Sequence, residues 1–262
     1  METASVVSRR ALLTIGGVTI LRVGTGSTES SAFSGNPVSA PRTADGQGDD
    51  LEYAPHSAPA LHPRAHRARD APEYHVNAGP RGIALTIDDG PSRTYTPQVL
   101  ALLRKYGITA SFCMIGQQIP GNRRLVAHVA DEGHMICNHT WNHADQTRLS
   151  AQQVRAQIER TNEVLAGLRI TPTVYRAPYG NWNSTILRAC ADADLRPVDW
   201  SVDPRDWSRP GTDAIIDNIM THTRSGSIIL EHDGGGDRSQ TVAALKIVVP
   251  RLIDEGYTFH SL

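Results

Sequence analysis

From Arg81 to the C-terminus, short apolar runs alternate with amphipathic stretches, a pattern that limits the chain to strands connected by helices. Gly82-Ile83-Ala84-Leu85-Thr86-Ile87 has the near-continuous apolar character of a buried strand and stops at Asp88-Asp89-Gly90-Pro91. Val99, Leu102, Leu103 and Tyr106 then share one face of a helix. The two periods repeat. They predict strands over 109–115, 135–138, 174–176, 197–201, 227–231 and 257–260. The helices between them cover 123–132, 150–168 (with Ser150 as N-cap), 186–193, 212–223 and 241–254. About seven parallel strands in roughly 185 residues fall short of the ~250 residues of an eight-stranded barrel. The expected fold is therefore α/β, a distorted, truncated (β/α) barrel, with an open doubly wound sheet as the alternative.

The N-terminal part is of another kind. Ser8-Arg9-Arg10 precedes an apolar run, Ala11 to Leu21, short for the ~20 residues of a membrane span. Residues 1–23 are expected to be an export signal, similar to a twin-arginine leader or else an ordinary secretory one, with no stable membrane insertion after processing. Residues 24–77 are rich in Ser, Gly, Pro and Ala without apolar periodicity, and are expected to be a disordered linker. The folded domain is assigned to residues 78–262. A net charge of −1 gives no electrostatic basis for binding nucleic acid or an anionic membrane. Cys113, Cys137 and Cys190 are too few for a disulfide framework. They read as small buried residues, with a single bridge left open.

Each polar motif follows a strand: Asp88, His139, Arg176, Asp203 and His232. In a parallel barrel such positions converge on one rim. His139 and His143, four apart, are expected on one face of a helical turn, placed to share a metal ion. Asp88 and Asp89 end a strand, where successive side chains diverge, so one can bind the metal and the other can serve proton transfer. Two His and one Asp leave a coordination position open, the catalytic pattern. A phosphatase with an aspartyl nucleophile is disfavoured because these aspartates are adjacent.

Arg176 can hold a carboxylate through two hydrogen bonds, with Asp88 the candidate partner. Pro178 fixes the backbone so that the Tyr179 amide can face a developing oxyanion. His232, held by a carboxylate, can protonate a leaving group. Of the four tryptophans, Trp182 and Trp207 are groove candidates, whereas Trp200, inside a strand, is expected in the core.

Together Thr86-Ile87-Asp88-Asp89-Gly90-Pro91, His139-Thr140-Trp141-Asn142-His143, Arg176-Ala177-Pro178-Tyr179, Asp203-Pro204-Arg205-Asp206-Trp207 and Leu230-Glu231-His232 resemble the polysaccharide deacetylase family, carbohydrate esterase family four. The resemblance implies Asp88 as catalytic base, Arg176 as the residue that positions it, and Asp89, His139 and His143 as metal ligands. It further implies His232 as acid with Asp206 as its partner, the Tyr179 amide as oxyanion donor, and Trp207 and Leu230 as groove residues. Family members commonly use zinc, some cobalt or another divalent ion, and adopt a distorted (β/α) barrel.

The activity so implied is removal of N-acetyl groups from N-acetylglucosamine-containing polysaccharide, either peptidoglycan or a chitin-type chain. Its setting would be a secreted or cell-wall-associated monomer. The alternatives are an O-acetyl xylan esterase and a carbohydrate-binding protein with an inactive site. Two positions depart from the family pattern. Ile87 stands where an aromatic is frequent, and Glu231 where an apolar residue is common. Strand alternation turns Glu231 away from the site, and no role is assigned to it.

Overall fold

The computed structural model describes residues 69–262. The expected export signal and nearly all of the expected linker lie outside the described residues. Among the described residues seven strands are present: β1 (Gly82–Asp88), β2 (Ser111–Met114), β3 (Met135–Asn138), β4 (Val174–Tyr175), β5 (Arg196–Pro197), β6 (Ile228–His232) and β7 (Thr258–Phe259). All named pairs are parallel, in the order β5-β4-β3-β2-β1-β6, with β7 on β1. Six helices connect them: α1 (Thr96–Tyr106), α2 (Arg123–Asp131), α3 (Ala151–Ala166), α4 (Ser184–Asp192), α5 (Thr212–His222) and α6 (Ser239–Asp254). The ring closes by an irregular seam. Val202 N donates to Ile228 O at 3.1 Å and Leu230 N to Val202 O at 2.9 Å. This is the expected distorted barrel, and the open doubly wound sheet is excluded.

Strand alternation sorts the side chains into two layers. Ile83, Leu85 and Ile87 of β1 point outward into the main core with residues of α1, α2, α5 and α6. Ile87 therefore does ordinary core packing. Ala84, Cys113, Cys137, Val174, Val198 and Ile228 fill the barrel interior. Above that apolar floor the inward positions turn polar, as Thr86, Asp88, Arg176 and His232. α3 begins with the expected Ser150 cap, a reciprocal capping box with Gln153.

Two expectations are corrected here. The strand predicted over 197–201 is regular only at Arg196–Pro197, because the chain changes partners along its length. Glu73 N bonds Pro197 O at 3.0 Å, Asp199 N bonds Glu73 O at 2.7 Å, and only at Ser201 and Val202 does the chain reach β6. By the same bonds, residues assigned to the linker belong to the fold. Glu73 pairs with Val198 and His75 with Ser227, so Glu73–Val76 straps the gap between β5 and β6. A segment without apolar periodicity can enter a sheet through backbone bonds, helped here by the Arg196–Glu73 ion pair at 2.8 Å and by Val76 packed against the barrel interior. The three cysteines are free and buried, and Cys113 and Cys137 are register partners on β2 and β3.

Candidate active site

β1 delivers Asp88 at its last position, and the chain then turns through Asp89 in a left-handed conformation, φ 71°. That turn, rather than simple alternation, brings both carboxylates to the rim. The loop after β3 carries the histidines. It is not the expected helical turn: Thr140 (φ 64°) and His143 (φ 58°) both reverse the backbone. Asn138 Oδ1 accepts from Thr140 N at 2.9 Å, and Thr140 Oγ1 accepts from His143 N at 3.0 Å. Local side-chain bonds of this kind compete with helix formation. The outcome is still convergence, with His139 Nε2 3.5 Å and His143 Nε2 3.2 Å from Asp89 Oδ1.

The three residues suit a divalent cation. Their candidate ligand atoms lie within 4.8 Å of one another. Asp89 Oδ1 is buried without a hydrogen-bond partner, an orphan acceptor facing two imidazole nitrogens. His139 Nδ1 sits 2.9 Å from Arg176 O, which assigns its proton to Nδ1 and leaves the Nε2 lone pair toward the cluster. Without a cation the histidines and carboxylates must balance one another. Burial raises the Asp89 pKa, but the nearby His139, His232 and His143 imidazoles outweigh that and hold it well below the carboxylate range.

Asp88 is buried at 2 % exposure, and Arg176, fully buried, reaches it from the end of β4. Arg176 Nη1 donates to Asp88 Oδ1 at 2.8 Å and to Thr86 Oγ1 at 2.7 Å, and Nη2 donates to Asp199 O at 2.9 Å. The expected two-bond clamp is thus a single bond to Asp88, because the other arm is committed to the β5 side of the barrel. Asp88 Oδ2 is left facing the cluster, 3.9 Å from His139 Nε2.

His232 ends β6. Its Nδ1 lies 2.7 Å from Asp206 Oδ1 and its backbone N donates to Asp206 Oδ2 at 2.9 Å. Thr241 Oγ1, on α6, donates to the same Oδ2 at 2.7 Å. Burial disfavours the imidazolium, but the Asp206 hydrogen bond and charge prevail, helped by Asp88 and Asp89, and raise the His232 pKa to about 8.

A cavity of about 410 Å³ opens above these groups. Its walls include Ala177, Tyr179, Trp200, Asp203, Trp207 and Leu230. Tyr179 (φ 63°) exposes 62 % of its surface, and Trp207 47 %. The Tyr179 ring meets His143 edge-on at 4.7 Å between centroids. Leu230 and Trp207 both line this cavity. Trp182 and Trp200 exchange places. Trp182 packs edge-on against Tyr175 and donates to Asp199 Oδ2 at 2.9 Å outside the cavity, while Trp200 lines it. Both lie near irregular backbone, where strand phase does not predict facing.

Sequence reasoning also missed the support behind Asp89. Asp233, fully buried with its carboxyl pushed up to about 7 by that burial, bonds Thr96 Oγ1, and its backbone N donates to Asp88 O at 3.1 Å. Gly234 lies so close to Asp89 that a Cβ there would collide with the Asp89 carbonyl. The run Gly234-Gly235-Gly236 directly after Asp233 was the available signal.

The polysaccharide deacetylase family model matches residues 75–198, and a curated relative, a peptidoglycan-N-acetylglucosamine deacetylase of Bacillus cereus, is 43 % identical over 185 residues. That alignment covers 68 % of this chain and 84 % of the relative. The chain belongs to the polysaccharide deacetylase family. A chitooligosaccharide deacetylase of Rhizobium leguminosarum bv. trifolii is 37 % identical over 74 % of this chain and 95 % of its own. Among solved structures, a peptidoglycan N-acetylglucosamine deacetylase bound to a naphthalenyl N-oxidanyl-benzamide superposes with a TM-score of 0.71 at 32 % identity, covering 73 % of this chain and 91 % of that one. The family match begins at residue 75, inside the strap whose backbone pairing starts at Glu73. Among the described residues no helix is long and apolar enough to cross a membrane.

Proposed function

We propose that this protein removes N-acetyl groups from N-acetylglucosamine units of a peptidoglycan or chitin-type chain. The observation that carries the reading is the placement of Asp88 and His232 on neighbouring strands at one rim, with the Asp89–His139–His143 cluster beside them and aromatic walls above. Similarity to relatives named for N-acetylglucosamine and chitooligosaccharide substrates supports the substrate class.

Asp89, His139 and His143 would hold a divalent ion, zinc first, with cobalt or another such ion also compatible with two imidazoles and a carboxylate. When bound, that ion would polarise the acetyl carbonyl and acidify water. Asp88, whose Oδ2 is free, removes the proton from the attacking water while Arg176 holds the other oxygen. The Tyr179 backbone amide is the proposed donor to the developing oxyanion. His232, a stable imidazolium below about pH 8, delivers a proton to the sugar nitrogen. Protonation matters more for this bond than for an ester, since an amine does not leave readily as an anion. Trp207 and Leu230 would hold the sugar against the cavity wall.

We further assign residues 1–23 to an export signal and the Ser/Gly/Pro/Ala-rich stretch before Glu73 to a spacer, placing the enzyme outside the cell or at the wall as a monomer. The deciding assay is acetate release from chitooligosaccharides, peptidoglycan and acetylated xylan, each with and without a chelator. Release from the first two, lost on chelation, is expected. Release from xylan alone would mean an ester substrate, and none at all would point to a binding protein.

A further inference from the structure

Glu231 lies between two inward-facing residues of β6, Leu230 and His232, and so points out of the barrel, into the layer where α6 begins. It is fully buried, and neither carboxyl oxygen receives a hydrogen bond from an N–H or O–H of the described residues. An isolated buried carboxylate in that position would carry a large desolvation cost. Its carboxyl instead lies against that of Asp206. Asp203 adds a second negative charge nearby, and Arg238, at the head of α6, is the cation facing it. That guanidinium is engaged elsewhere, through Nε on Gly234 O at 2.6 Å and Nη1 on Trp207 O at 3.2 Å.

Two carboxyl groups in contact share one proton at neutral pH, and donor count decides which of them holds it. Asp206 already accepts from His232 N, His232 Nδ1 and Thr241 Oγ1, an environment made for an anion. Glu231 has no donor. The proton therefore belongs to Glu231, and burial together with the neighbouring Asp206 pushes its pKa well above the carboxylate range.

We propose that Glu231 is a permanently protonated positioning residue, which donates a fourth hydrogen bond to Asp206 and thereby fixes that carboxylate and tempers its pull on His232. The inference rests on the reading of His232 as the acid of the reaction. Glu231–H, Asp206 and His232 form a line in which the outer member shares the charge of the middle one. Sharing keeps the proton on the imidazole from being held too tightly for delivery.

The test is an NMR titration of the His232 imidazole in full-length, zinc-loaded protein, its signal assigned by loss in His232→Asn. Wild type, Glu231→Gln and Glu231→Leu are compared. Glutamine keeps a donor to Asp206 and should leave the His232 midpoint where it is. Leucine removes the donor, restores the full Asp206 charge, and should raise the midpoint by roughly half a pH unit or more. The alkaline limb of kcat/KM should move in step, up for Leu and unmoved for Gln. An anionic Glu231 predicts the opposite, a lowered midpoint in both variants, and that outcome or no change in either overturns the proposal.

Infrared difference spectra of wild type against Glu231→Gln at mildly alkaline pH give a second measure. The band of a protonated carboxyl should disappear in the variant, and its absence from wild type overturns the proposal even if the leucine variant fails to fold. Because titration and spectrum need no substrate, they remain decisive if the protein releases no acetate.

Discussion

Asp88 and His232 are register partners on β1 and β6, adjacent parallel strands. Their separation is therefore set by the backbone ladder, the stiffest spacing a fold offers, rather than by loops. Each is then held by a separate buried partner, Asp88 by Arg176 and His232 by Asp206. In the proposed reaction these oppositely charged partners would poise the two groups for opposite tasks, one to take a proton and the other to give it.

Asp88→Asn should keep the Arg176 contact, the fold and the metal content while acetate release falls by about 10²–10⁴-fold, the usual contribution of a positioned general base. Turnover and bound metal measured on one preparation check this. Unchanged turnover would remove Asp88 from the base role.

The pH profile should follow His232. In the proposed reaction the imidazolium is the working form, so kcat/KM should hold below about pH 8 and fall about tenfold per unit above it. Asp206→Asn removes the interaction that offsets burial, so the limb should move to lower pH. The linked stability has the same sign. A folded pKa of about 8 against 6.5 contributes about 2 kcal/mol, present below pH 6.5 and lost as pH rises through 8. An alkaline limb insensitive to Asp206→Asn would contradict the pairing.

Chelation should lower the melting temperature as well as abolish acetate release, and zinc at a hundredfold excess over its Kd should restore about 2.7 kcal/mol. Asp89→Asn, His139→Ala and His143→Ala should each lose that zinc-dependent rise. A melting temperature indifferent to zinc in wild type would count against the cluster as a metal centre.

Arg176→Met should be the most damaging of these substitutions to the fold. It leaves Asp88 buried without its cation and Thr86 Oγ1 and Asp199 O without their donor, a loss of about 3–5 kcal/mol. Lysine, a point charge, cannot reach all three acceptors and should recover only part of it. Denaturant unfolding measures both.

Gly234→Ala should act on Asp89 without touching any charged group. The added methyl must displace the Asp89 backbone, costing about 1–3 kcal/mol, with zinc affinity falling about 10–100-fold. Zinc titration and unfolding on the same sample check it, and wild-type affinity would show that the cluster tolerates the shift.

By itself the sequence determined the strand–helix order, the parallel sheet and the residues gathered at one rim. Each is written in local periodicity: the apolar run of 82–87, the Ser150 cap, the polar residue after each strand. Tertiary structure decided what depends on distant partners. The left-handed turns at Asp89, Thr140 and His143, not a helix, aim the cluster. The Glu73–Val76 strap entered the fold through backbone bonds and an ion pair to Arg196, a partner more than a hundred residues away in sequence. Trp200 took the cavity wall instead of Trp182 because β5 loses its strand phase. Glu231 meets Asp206 only because the 206–208 turn packs against the end of β6. Periodicity is a property of neighbours along the chain, whereas burial beside a charge is a property of neighbours in space.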